Sequence, residues 1–389
     1  MEQTYWWEQV GPRRFYIEVV RTLKSASVVV WFPQHATEDI LVPLDEGLND
    51  LPDEIRHVDA SEEETPENLV RRELPSTDEG LFKMLSDAKT VLIVRKTRSG
   101  SWLGWKKLLE DYHRYLATHR LKIGDVSRFL VIAEAPESEQ GPSYTVALKY
   151  IYYKGYVTIS DTERYCQQLL AGTSRSTIER LLSASIIANV ALWDKGIAAR
   201  LCGKSVADIL DPIDILRRLA LERKWKPEQA CAWHNGIENN VDGERCSNSA
   251  WLALHGESSE IKQRIWRAQL KVLFPFIEQQ RNMFIDLIRR DLPFVSSEAD
   301  LGDMEFLRLR HLIKDHLPKG AEDAYDVFLQ IPDAFGDVRN CLAHREPAPA
   351  DKLQAMFGAL ESLTGLWKYG FSATRARISL ASVHAGQHQ

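Results

Sequence analysis

Over the first 160 residues, short apolar runs alternate with longer segments of helical spacing. RRFYIEVVRTLKSA has helical spacing and leads into SVVVWFP, a β-branched run closed by Pro33. TVLIVRKT (90–97) and RFLVIAEAP are two more apolar runs, and GWKKLLEDYHRYLATHR between them is an amphipathic helix. KYIYYKGYVTIS adds a further strand or a hairpin. Strands that are apolar throughout are buried on both faces, as in parallel sheets covered by helices. The pattern therefore predicts an α/β layer with a mainly parallel sheet. HVDASEEETPENLV, acidic and proline-bearing, reads as a loop leading into a polar helix.

From Asp161 to about His255 the spacing is helical, clearest in TIERLLSASIIANVALW and SVADILDPIDILRRLALE. NGIENNVDGERCSNS (235–249) reads as a polar, glycine-bearing loop. Beyond it, Trp266, Leu270, Leu273, Ile277, Phe284 and Ile288 keep one helical face, with a kink expected at Pro275. MEFLRLRHLIKDHL is a second helix, closed by Pro318 and Gly320. A third runs through AEDAYDVFLQIPDAFGDVRNCLAH with a bend at Pro332, and KLQAMFGALESLTGLW is a fourth. The expected organisation is an α/β domain (1–160), a helical connector (161–258), a C-terminal four-helix bundle (259–375) and a flexible tail (376–389).

With 389 residues there is room for two or three cores. The net charge of −6, and a balance of basic and acidic residues after Ser259, exclude nucleic-acid affinity from bulk charge; any such contact must be a local pocket. MEQTYWWEQV has no basic region followed by an apolar one, and the longest apolar runs are too short to span a bilayer. Five scattered cysteines fit free thiols, so the expected setting is cytoplasmic and reducing, without a membrane.

The segment DVRNCLAHREPAP (337–349) holds the candidate chemistry. Phe328, Ile331, Phe335, Val338 and Leu342 form an apolar stripe. Asn340 and His344, four residues apart, share a face nearly opposite it, with Arg339 on the flank. This is either the solvent face of a helix end, where a histidine suits the helix dipole, or a face that meets RNA or a partner chain. In the second case histidine can take a proton from a ribose 2′-hydroxyl and arginine can stabilise charge on the attacked phosphate.

RNCLAH, ahead of a proline-broken loop at the end of the third of four helices, resembles the signature of the HEPN family: an arginine, four to six intervening residues and then a histidine, often with a polar residue right after the arginine. The resemblance covers residues 259–372. It implies an all-helical domain that dimerises so that two motifs form one composite, metal-independent endoribonuclease site, as in toxin–antitoxin, abortive-infection and CRISPR-associated systems. By that resemblance His344 is general base or acid, Arg339 stabilises the transition state and Asn340 orients them. RNA, tRNA included, would be the substrate, and a defence-system protein a partner or trigger. Members that have lost catalysis and only bind make a non-catalytic adaptor the alternative.

The N-terminal domain resembles a degenerate P-loop fold. SVVVWFPQHATED stands where a phosphate loop follows a first strand, but G-x-x-x-x-G-K-[ST] is absent, and Gly203-Lys204-Ser205 lacks the preceding glycine. TVLIVRKT ends without a carboxylate for magnesium, and Glu134, near the end of RFLVIAEAP, stands alone. The expected role is sensing or protein contact, with no cofactor; a nucleotide sensor is a third possibility. Cys231, His234, Cys246 and His255 lack the second close pair of a structural zinc site, so no metal is expected. Trp6, Trp7, Trp102 and Trp105 read as core anchors.

Overall fold

The computed structural model describes residues 2–36, 41–48, 53–60, 64–74, 79–97, 99–137, 147–296, 300–317, 323 and 325–370. The expected helix stop at Pro318 and Gly320 and the tail 376–389 lie outside the described residues. The chain forms two compact units. The first contains residues 1–174, 190–203 and 213–257; the second contains 175–189, 204–212 and 258–389. Residues 161–258 thus contribute to both.

The first unit is built on a five-stranded sheet: β1 (Ser27–Phe32), β2 (Glu54–Asp59), β3 (Thr90–Thr97), β4 (Arg128–Glu134) and β5 (Leu148–Tyr152). The order is β2-β3-β4-β1-β5, and every pairing is parallel. All six residues of β1 are buried, with Val28 opposite Leu130 of β4 and Lys149 of β5, which is why its sequence is apolar without alternation. KYIYY is therefore a parallel strand rather than one arm of a hairpin.

β2 differs from the sequence reading, which began a loop at His57. It is an edge strand in which only Val58 is buried. An edge strand presents one open flank to water and tolerates the polar string EIRHVD. A second difference lies in 235–249, where β6 (Glu238–Val241) and β7 (Glu244–Ser247) form an antiparallel hairpin. Asp242 and Gly243 both take positive φ, 51° and 87°, as a two-residue hairpin turn requires.

Helices α1 (Val10–Leu23), α2 (Pro66–Glu73), α3 (Leu81–Asp87) and α4 (Ser99–Thr118) accompany this sheet. Trp31, Trp102, Trp105, Tyr112 and Phe129 belong to one buried cluster, so the tryptophans are core anchors. The hydroxyl of Tyr112 donates to the carbonyl of Ser127 at 2.9 Å, tying α4 to the start of β4.

His113, beside Tyr112, is 5% exposed, and neither ring nitrogen has a hydrogen-bond partner among the described residues. Burial pushes its imidazole down to about 4. The unfolded chain takes up this proton near pH 6.5 and the folded chain only near pH 4. The stability of the neutral form is complete above the first value and is lost as pH falls toward the second, by about 3 kcal/mol at most. Chemical denaturation between pH 7 and 4 should show this slope, and His113→Leu should flatten it. An equal slope in both proteins would mean that His113 is not its source.

The second unit contains α7 (Ser258–Asp291), α8 (Phe306–His316), α9 (Asp326–Ala343) and α10 (Ala350–Tyr369); helices α5 (Lys195–Cys202) and α6 (Ile213–Glu222) precede them in the first unit. Pro275 and Pro332 lie inside α7 and α9, which continue past them. Phe284 of α7 lies 6.2 Å from Phe306 and 6.1 Å from Phe328, and Phe306 stacks on Phe335 at 5.3 Å. Four rings from three helices thus form the centre of this core. The architecture is a parallel α/β sheet with additional helices, followed by a helical unit.

Candidate functional site

The apolar stripe of α9 is buried as its spacing requires: Phe328, Ile331, Phe335 and Val338 are at 0% exposure and Leu342 at 1%. Asn340 is half-buried and His344 exposed. The helix ends at Ala343, and the next three residues make a specific stop. The N–H of Glu346 donates to the carbonyl of Cys341 at 2.9 Å, and that of Arg345 to Leu342 at 3.2 Å. These two bonds define a Schellman turn with Arg345 in its left-handed position, φ 62°. The N–H of His344 donates to the carbonyl of Asn340 at 3.0 Å.

Two residues of α7 fix this turn and the chain just after it. Trp266 Nε1 donates to the Leu342 carbonyl at 2.8 Å. Gln269, fully buried, donates through Nε2 to the Ala348 carbonyl at 2.9 Å and accepts from its N–H at 2.7 Å. The sequence reading placed Trp266 on an apolar face and did not single out Gln269. The available signal was an uncharged amide on the buried face of a long helix, where a polar group needs a dedicated partner.

Arg339 is held differently. Its Nη2 meets Glu305 Oε1 at 2.8 Å, its Nε donates to Glu278 Oε1 at 3.4 Å, and its guanidinium lies 5.8 Å from the ring centre of Phe274. Glu278 also takes Arg281 Nε at 2.9 Å. The ring of His344 and the amide of Asn340 have no hydrogen-bond partner among the described residues, and no side-chain bond joins Arg339, Asn340 and His344 to one another. The three are neighbours on one helix end, but only Arg339 is committed to other side chains. Lys352 Nζ lies 3.5 Å from Cys341 Sγ on the same helix end.

The other sequence candidates have structural settings. Ser205 of the Gly203-Lys204-Ser205 triplet caps a short helix, Val206–Leu210, in a capping box with Asp208. Cys231 is exposed, and His255 lies against Trp251 with ring centres 4.1 Å apart. None of the five cysteines is in a disulfide, and among the described residues no group of three or more His, Cys, Asp or Glu is placed to hold a metal ion. No described helix is long and apolar enough to cross a membrane.

No protein-family model matches the chain, and no curated protein is significantly similar to it in sequence.

Proposed function

We propose that the helical unit is a HEPN-like bundle acting as a metal-independent endoribonuclease, as a homodimer, in a prokaryotic defence or toxin setting in the cytoplasm. The observation that carries the reading is the state of residue 344. Its backbone is locked by the Schellman turn, Trp266 and Gln269, while its imidazole is exposed and uncommitted. A general base needs this combination of fixed position and accessible nitrogen. In the reaction, His344 takes the proton of a ribose 2′-hydroxyl, whose oxygen attacks the adjacent phosphorus. The bond from phosphorus to the 5′-oxygen breaks, and the partner's His344 protonates that leaving oxygen. The products are a 2′,3′-cyclic phosphate and a 5′-hydroxyl. Arg339 offsets the charge on the phosphoryl oxygens, Asn340 orients the pair, and the N-terminal part of the chain regulates the activity.

The ion pairs of Arg339 with Glu278 and Glu305 favour a second reading, a non-catalytic adaptor that uses this face for dimerisation or for binding RNA or protein. An arginine neutralised by two carboxylates has to exchange partners before it can serve a phosphate. The deciding experiment incubates the purified protein with labelled tRNA and mixed cellular RNA in EDTA and assays the product ends. Cyclic phosphate ends support the nuclease, and their absence supports the adaptor. Arg339→Ala should abolish cleavage while leaving the dimer intact by light scattering. Loss of the dimer would assign Arg339 to assembly instead.

A further inference from the structure

A small cleft lies within the first unit at the carboxyl end of β1. Its lining includes Gln34 and His35, directly after that strand, with Lys195, Gly196, Arg223 and Asn239. Open parallel sheets bind ligands beyond the carboxyl ends of strands where successive connections leave in opposite directions. Here the chain leaves β1 toward β2 at the far edge of the sheet, whereas it leaves β4 across β1 toward β5. The cleft has about 40 Å³ of room for the centres of water-sized groups. That corresponds to roughly three waters, the space of a small tetrahedral oxyanion.

The chemistry of the lining is lopsided. Asp194 is already saturated. Its carboxylate accepts from the Ile197 N–H at 3.0 Å, from Arg223 at 2.5 and 2.9 Å, and from Asn248 Nδ2 at 2.8 Å. Burial opposes its charge, but Arg223 and these hydrogen bonds hold the carboxyl below its ordinary range. Asn239, 4% exposed, accepts through Oδ1 from the N–H groups of Gly155 at 3.1 Å and Asn240 at 2.8 Å. Those two bonds fix the orientation of the amide, and its Nδ2 has no acceptor among the described residues. The N–H of Gly196, at the positive end of α5, also has no acceptor among the described residues. The side-chain amide of Gln34 is likewise without a described partner.

We propose that this cleft binds the phosphate group of a small phosphorylated molecule. Uncommitted donors come from three separate chain segments: Gln34, Gly196 and Asn239. A tetrahedral phosphate offers an oxygen to each, whereas a planar carboxylate has only two. Lys195 and the Arg223–Asp194 pair set the local charge, and Asp194, the carboxylate among the described lining residues, is already committed. The donors are side-chain amides and a helix start, so the site does not depend on a glycine cradle, which the sequence lacks. The proposal stands independently of ribonuclease activity.

Titration calorimetry of the full chain with inorganic phosphate, AMP and adenosine tests it. Phosphate and AMP should bind and adenosine should not. Asn239→Asp keeps an acceptor for Gly155 and Asn240 but replaces the amide donor with negative charge, and should weaken AMP by about tenfold or more. Lys195→Gln should weaken it in the same direction, and decides the matter if Asn239→Asp lowers the melting temperature. No heat from phosphate or AMP at millimolar concentration, adenosine binding as well as AMP, or wild-type affinity in a folded variant would each overturn the proposal.

Discussion

His344→Ala is expected to reduce cleavage of labelled tRNA in EDTA by about 10²–10⁴-fold, the range lost when a positioned general acid or base is removed. The fold should survive. The side chain is exposed and has no described partner, and the turn that carries it is held by backbone groups and by two residues of α7. Equal melting temperatures with a large activity difference would separate chemistry from stability. In a symmetric dimer the substitution removes both the group that accepts the 2′-hydroxyl proton and the one that returns a proton to the leaving oxygen. The effect should therefore lie toward the upper end of the range. Cleavage by both proteins at similar rates would place the activity elsewhere and remove the site assignment. If wild type and variant are both inactive on every RNA tested, the adaptor reading becomes the better account of this face.

Arg128→Leu is expected to cost about 3–5 kcal/mol, because it leaves one member of a buried ion pair without its partner. Arg128 opens β4. Its guanidinium reaches Asp53 through Nη2 and, through Nη1, the carbonyls of Leu23 at 2.9 Å and Lys24 at 2.8 Å. The side chains of Arg128 and Asp53 are 4% and 2% exposed. One side chain thus closes the end of α1, the approach to β2 and the start of β4. Thermal unfolding should fall by about 10 °C for a unit of this size. The double variant Asp53→Leu with Arg128→Leu should recover part of the loss, because it removes the stranded carboxylate as well as the cation. A double variant no more stable than Arg128→Leu would mean that the carbonyl contacts, and not the charge pair, carry the energy.

The interior strands could be read from the sequence because both their faces are covered, which leaves the uninterrupted runs SVVVWF and RFLVIAE. β2 could not, since an edge strand with a single buried side chain carries neither a run nor an alternation. The hairpin β6–β7 did carry a signal, Asp242-Gly243, but its strands are four residues each and largely polar. In α9 the buried stripe and the outward placement of Asn340 and His344 follow from helical spacing alone. The clamp by Gln269, the carboxylates that hold Arg339 and the donors of the cleft depend on residues distant in sequence. Periodicity, which reports on one element at a time, cannot reveal them.

The way α9 ends separates two properties that usually constrain each other. Every bond that places residue 344 is made by a peptide group or by Trp266 and Gln269, so almost any side chain could stand there without cost to the fold. Substitutions at 344 can add or remove an imidazole while the scaffold stays the same, so on the proposed nuclease reading an active and a silent form of this face would differ at that one position. By contrast, changes at Gln269 would have to be tolerated by the scaffold before they could affect chemistry at all.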